Sequence, residues 1–112
     1  MKATLFKICL VCICSILFFA NCAKPIDACF DYSPASPDTI SFVTFNGGCS
    51  ENAFQYKWNF GDGSSDTTSE GFIVKHKFTK PGVYTVNLNA QRKDGVTIRK
   101  EKPTIEKVII VQ

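Results

Sequence analysis

The chain reads as an all-β domain, an antiparallel β-sandwich, preceded by a cleaved targeting segment. Three observations carry that reading. Aromatic and β-branched residues recur at every second position in several short runs, the mark of strands with one face toward a core. Clusters of glycine, proline, asparagine, aspartate and serine separate these runs at intervals of about 8–12 residues. No stretch sustains an apolar stripe of helical period, and 112 residues leave room for one domain at most.

Residues 1–21 read as the targeting segment. Lys2 and Lys7 precede an apolar run over residues 8–20 that only Ser15 interrupts. As a helix this run rises roughly 20 Å, short of the ~30 Å hydrocarbon core, so a membrane span is the weaker reading. Ordinary signal peptidase needs small residues at the first and third positions before its cut. A cut after Ala20 puts Phe18 at the third position, and a cut after Ala23 puts Asn21 there. Phe19-Ala20-Asn21-Cys22 instead resembles the lipobox of bacterial lipoproteins, departing from the usual small residue at Asn21. The resemblance implies that Cys22 becomes the acylated (palmitate-bearing) first residue of the mature chain; otherwise Cys22 is an ordinary residue of an irregular signal. Residues 22–26 are then a short tether that holds the domain, residues 27–112, within ~20 Å of the lipid. The implied location is the bacterial cell envelope, lipid-anchored to a membrane such as the outer membrane. No acidic run follows Cys22, which leaves periplasmic and surface-facing placement open.

Loss of the segment removes Lys2 and Lys7 and no acid. The 13 Lys and Arg less these two leave 11 against 10 Asp and Glu, so the formal charge falls from +3 to +1. The basicity of the full sequence is a targeting feature, and nucleic acid is not an expected partner. The same cut sorts the six cysteines. Cys9, Cys12 and Cys14 lie in the apolar run and leave with it, and Cys22 is acylated. Cys29 and Cys49 remain, an even pair in a chain sent to an oxidising compartment, and a disulfide between them is expected. Two free thiols are the alternative.

From Cys29 onward the strands follow in order. Residues 40–45 (Ile-Ser-Phe-Val-Thr-Phe) put Val43 and Phe45 on one face; Tyr56, Trp58 and Phe60 alternate, as do Tyr84, Val86 and Leu88. Residues 73–78 and 107–111 are two further candidates. Asn46-Gly47-Gly48, Gly61-Asp62-Gly63-Ser64-Ser65 and Pro81-Gly82 are turn material, and Asp94-Gly95 is the strongest short hairpin signal. Six or seven short strands with such turns make a sandwich.

Two strings make the reading specific. Trp58-Asn59-Phe60-Gly61-Asp62-Gly63 is followed by His76-Lys77-Phe78-Thr79-Lys80-Pro81-Gly82-Val83-Tyr84-Thr85-Val86. Together they resemble the PKD domain, whose hallmark is Trp-Asp-Phe-Gly-Asp-Gly and then His-x-Phe-x-x-Pro-Gly-x-Tyr-x-Val. Asn59 stands where the usual motif has Asp. The resemblance covers about residues 27–111 and implies an immunoglobulin-like sandwich that serves as an extracellular interaction or spacer module.

Each motif residue has a structural role on this reading. Trp58 and Phe60 point between the sheets, Gly61 and Gly63 supply positive φ or close approach, and Asp62 accepts turn amides. Pro81-Gly82 turns the chain into the strand of Tyr84, whose hydroxyl finds a partner. His76, the single histidine, reads as a hydrogen-bonded structural residue beside the Gly-Asp-Gly turn, not a base. Asn59, Asp62 and Asp66 have the oxygen chemistry of a calcium site, yet two carboxylates in a Ser/Thr-rich turn are more often caps. No nucleophile–base pair, phosphate loop or metal-ligand cluster is recognisable, so neither catalysis nor a cofactor is expected.

The expected function is a non-enzymatic, lipid-anchored envelope protein whose domain contacts a protein or glycan partner. The alternatives are a structural spacer without its own ligand and a calcium-rigidified module. Arg92, Lys93, Arg99, Lys100, Lys102 and Lys107 suggest a weakly basic edge toward acidic glycans or lipid head groups, or simply a protected edge strand. Of Tyr32, Phe54 and Phe72, near predicted turns, at least two are expected to be buried.

Overall fold

The computed structural model describes residues 24–93 and 98–112. Among these residues seven strands form two antiparallel sheets: β1 (Asp31–Ser33), β2 (Val43–Asn46), β3 (Gln55–Asn59), β4 (Thr67–Ser69), β5 (Ile73–His76), β6 (Gly82–Gln91) and β7 (Thr104–Val111). One sheet has the order β1-β2-β5, the other β4-β3-β6-β7. The expected all-β sandwich is what the chain forms. The signal expected over residues 1–21, the lipidation expected at Cys22 and the turn expected at Asp94-Gly95 fall outside the described residues.

Period-two patterning sets which faces meet. Val43 and Phe45 on β2, Tyr56 and Trp58 on β3, Val86 and Leu88 on β6, and Ile109 and Val111 on β7 are buried between the sheets. Trp58 sits among the aromatics, its ring 5.2 Å from Phe30, 5.8 Å from Phe45 and 6.4 Å from the parallel ring of Phe60. Side chains of this size each remove on the order of 150–250 Å² from water, so this cluster supplies much of the domain's hydrophobic stabilisation. A smaller cluster of Ile26, Ala28 and Ala90 closes one end.

Several elements differ from expectation for local reasons. Residues 40–42 are not strand: the Asp38 carboxylate accepts the amides of Ile40 (2.9 Å) and Ser41 (2.7 Å), bending the chain so that pairing starts at Val43. Ile40 and Phe42 are left exposed. Phe60 and Phe78 are buried, though each lies just beyond its strand. Strands β1 and β4 are three residues each, too short for a periodic signal, and β4 lies in a Ser/Thr-rich run. Strand β6 stops at Gln91 and β7 begins at Thr104, so residues 92–103 connect them. Ile26, counted with the tether in the sequence, is 3% exposed and packs into the domain. Burial of two among Tyr32, Phe54 and Phe72 does not hold. Tyr32 packs against the core, while Phe54 and Phe72 are 41% and 46% exposed, because both lie in connections beyond the sheets' inner faces.

Candidate functional site

The motif residues gather at one end of the sandwich and are engaged with one another. Gly61 (φ +72°) and Gly63 (φ +82°) turn the chain after Phe60. Between them Asp62 accepts the Ser64 hydroxyl at 2.6 Å, the Ser64 amide at 3.1 Å and a 2.6 Å bond from Nε2 of His76. Burial opposes the charge of Asp62, but the bonds from Ser64 and His76 outweigh it and hold the carboxyl below its ordinary range. The His76 ring lies flat on Phe60 at 3.9 Å and edge-on to Phe78 at 4.9 Å. Tyr84 packs on Phe78 and donates its hydroxyl to the Lys80 carbonyl at 2.6 Å, closing the Pro81-Gly82 turn.

Asn59, Asp62 and Asp66 do not act as one set. Asn59 donates to Asp66 at 2.6 Å and accepts the Gly61 amide at 3.0 Å, while Lys57 sits 3.2 Å from the other Asp66 oxygen. The Asn59 bond, then Lys57, hold Asp66 below its ordinary range. Among the described residues no three His, Cys, Asp or Glu side chains gather to hold a metal ion. The Asn59 amide is the donor in this pair, a bond that an ionised Asp could not make to a second carboxylate. Cys29 and Cys49 are joined by a disulfide.

Exposed apolar and basic side chains gather elsewhere. On the outer face of the larger sheet, Val83 of β6 faces Ile110 of β7, and Val108 is the next outward residue along β7. These three are 68%, 63% and 61% exposed and form an aliphatic strip. Asn87 and Glu106, bonded at 3.0 Å, border it on the polar side. The sequence reading missed this strip. Its trace is residues 108–111, where alternation gives way to an apolar run because both faces of β7 are apolar.

At the end opposite the motif, the loops after β2 and β6 meet the N-terminal segment. Asn52, Phe54, Arg92 and Lys93 line an open depression of about 420 Å³. Lys93 Nζ lies 5.6 Å from the centre of the Phe54 ring. Arg92 donates to Glu101 at 3.0 and 2.5 Å, which holds that carboxyl below its ordinary range, and also to the Lys24 carbonyl. Asn52 Nδ2 donates to the Pro25 carbonyl at 2.8 Å.

A family model described as PKD domain matches residues 23–106. The chain belongs to the PKD domain family. Solved PKD1 domains of Vibrio anguillarum Epp and of the Vibrio cholerae metalloprotease PrtV share this fold. Each is aligned over 80% of the chain, at TM-score 0.59 and 22% identity for the first and 0.60 and 23% for the second. The chain spans 95% and 99% of those two domains. A further similar structure comes from work on the promiscuous specificity of carbohydrate-binding modules of the β-sandwich superfamily, with TM-score 0.68 and 30% identity over 80% of the chain. This PKD domain spans 35% of that structure. It is also 39% identical over 54 residues to Protein QNR-71 of Coturnix japonica, of which it spans 10%.

Proposed function

We propose that this PKD domain is a non-catalytic interaction module of the bacterial cell envelope, tethered to a membrane through acylated Cys22, that docks a partner on the outer face of β6 and β7. The observation that carries the reading is the Val83–Val108–Ile110 strip. Lone exposed aliphatics are ordinary, but three brought side by side by cross-strand register, with a polar border, fit a protein interface better than solvent. The motif residues support a scaffold role, since their polar atoms are spent on one another.

A glycan partner is the second reading, supported by the resemblance to a structure described for carbohydrate-binding modules. A spacer without a ligand is the remaining alternative. A photo-crosslinking residue at Ile110 in intact cells, compared with one at Thr68, separates these readings. Adducts from position 110 alone support the protein reading. Retention on polysaccharide without adducts supports the glycan reading, and neither result leaves the spacer. Membrane attachment has its own test: Cys22→Ser is expected to release the protein from membranes and abolish the mass of the acyl groups. Unchanged retention would overturn the anchor.

A further inference from the structure

The end of the sandwich from which the chain runs back toward Cys22 is pinned, basic and partly aromatic. Residues 24–28, 47–54, 70–72, 92–93 and 98–103 meet there. The Lys24 and Pro25 carbonyls are held by Arg92 and Asn52, Ile26 is buried, and the Lys102 amide donates to the Ile26 carbonyl at 2.9 Å. The backbone is therefore fixed to the domain as far back as Lys24. Only Ala23 separates Lys24 from Cys22, and the two steps reach about 7 Å when fully extended. A domain held on so short a lead by acylated Cys22 keeps this end against the head groups.

The chemistry of the end suits that position. Lys24, Lys93, Arg99, Lys100 and Lys102 are exposed there, against Asp27, Glu51 and Glu70. Arg92 and Glu101 neutralise each other, and Asp94 of the same loop lies outside the described residues. Elsewhere in the described domain lysines and acids balance, so its excess positive charge lies at this end. Phe54 and Phe72, the two aromatics exposed against expectation, belong to it as well. Lys93 above the Phe54 ring pairs a cation for phosphate with an apolar ring at head-group depth.

We propose that this end is a docking surface for an anionic lipid bilayer, so that the domain stands end-on, with the Gly61-Asp62-Gly63 turn pointing away and the aliphatic strip open at its side. The proximity argument rests on the Cys22 anchor proposed above; the charge and aromatic arguments do not. The attraction is expected to fade with salt, because exposed charges are screened over about 8 Å at physiological ionic strength.

The test uses the full chain as processed in cells, reconstituted into phosphatidylcholine vesicles with or without phosphatidylglycerol. Flotation reports attachment and hydrogen exchange reports docking. The expected result is flotation with both vesicle types and slowed exchange in residues 49–54, 92–93 and 98–102 with phosphatidylglycerol alone, reversed by high salt. Lys93→Gln is expected to lower the docked-to-free ratio about fivefold, the factor that ~1 kcal/mol per basic residue at an anionic surface represents. Phe54→Ser, also on the exterior, is expected to weaken docking without unfolding the domain. Flotation with both vesicle types but no slowed exchange overturns the docking and leaves the anchor. Flotation and slowed exchange with the anionic vesicles alone uphold the docking and overturn the anchor. No flotation with either overturns both, and slowing of the same segments by soluble polysaccharide but not by vesicles reassigns this end to a glycan.

Discussion

Asp62 and His76 are joined across the upper turn of this PKD domain by a 2.6 Å bond, with both side chains largely shielded from water. Fourteen residues apart in sequence, they tie the Gly61-Asp62-Gly63 turn to the end of β5. Their chemistry serves the fold: the carboxylate is occupied by Ser64 and His76, and the imidazole is stacked on Phe60.

This pairing predicts an acid-sensitive stability. Asp62 ionises in the folded domain below its ordinary value of 3.8, so unfolding at low pH is accompanied by proton uptake. The stability it contributes is fully present above the ordinary aspartate range and is lost as pH falls through the lowered folded value. Urea unfolding between roughly pH 6 and pH 2 should show this loss. Asp62→Asn should be less stable near neutrality and less pH-dependent on the acid side; an unchanged acid limb would show that the pair contributes nothing.

The two glycines of the turn should respond differently to alanine. A Cβ on Gly61 would lie 2.5 Å from the backbone oxygen of Thr85, whereas one on Gly63 meets nothing within 4 Å. Both have positive φ, which costs a non-glycine residue about 1–2 kcal/mol. Gly63→Ala should lose about that much in denaturant titration. Gly61→Ala should lose several kcal/mol, because backbone must move as well. Equal losses would contradict the close approach at Gly61.

Loss of the disulfide should be costly for a domain this small. Cys29 and Cys49 are 20 positions apart, and a loop of that size is worth roughly 3 kcal/mol in the chain-entropy account. Reduction, or the double change to serine, should lower the melting temperature by roughly 10–20 °C. A shift of only a degree or two would mean that the sheets hold the two segments together unaided.

Trp58 should be less costly to replace with Phe than its burial suggests. Its Nε1 is buried without an acceptor among the described residues, so the change removes an unsatisfied donor along with volume. Trp58→Phe should cost clearly less than Trp58→Ala, for which ~3–5 kcal/mol is expected. Equal costs in urea unfolding would indicate that the indole proton has a partner, such as a buried water.

Much of the fold was legible in the chain because side-chain alternation is local. Trp58 and Phe60, Val43 and Phe45, and Val86 and Leu88 announce their faces through neighbours two positions away, and the expected pairing of Cys29 with Cys49 is the one the structure forms. Strands β1 and β4 were not legible, since three residues carry no period, and the register that sets Val83 against Ile110 appears only once β6 and β7 pair.

The sequence by itself determined the sandwich, its core aromatics and the places of the Gly-Asp-Gly and Pro-Gly turns, and it singled out Cys29 and Cys49 as a candidate pair. The strands and turns follow from residue type and short-range spacing, the cysteine pair from an even count in a chain expected to reach an oxidising compartment. Only the tertiary structure decided that Asp62 meets His76, that Phe54 and Phe72 face water, and that Arg92 and Asn52 hold Lys24 and Pro25. Those outcomes depend on which loops share an end of the sandwich, and the closure of two sheets over a common core sets that.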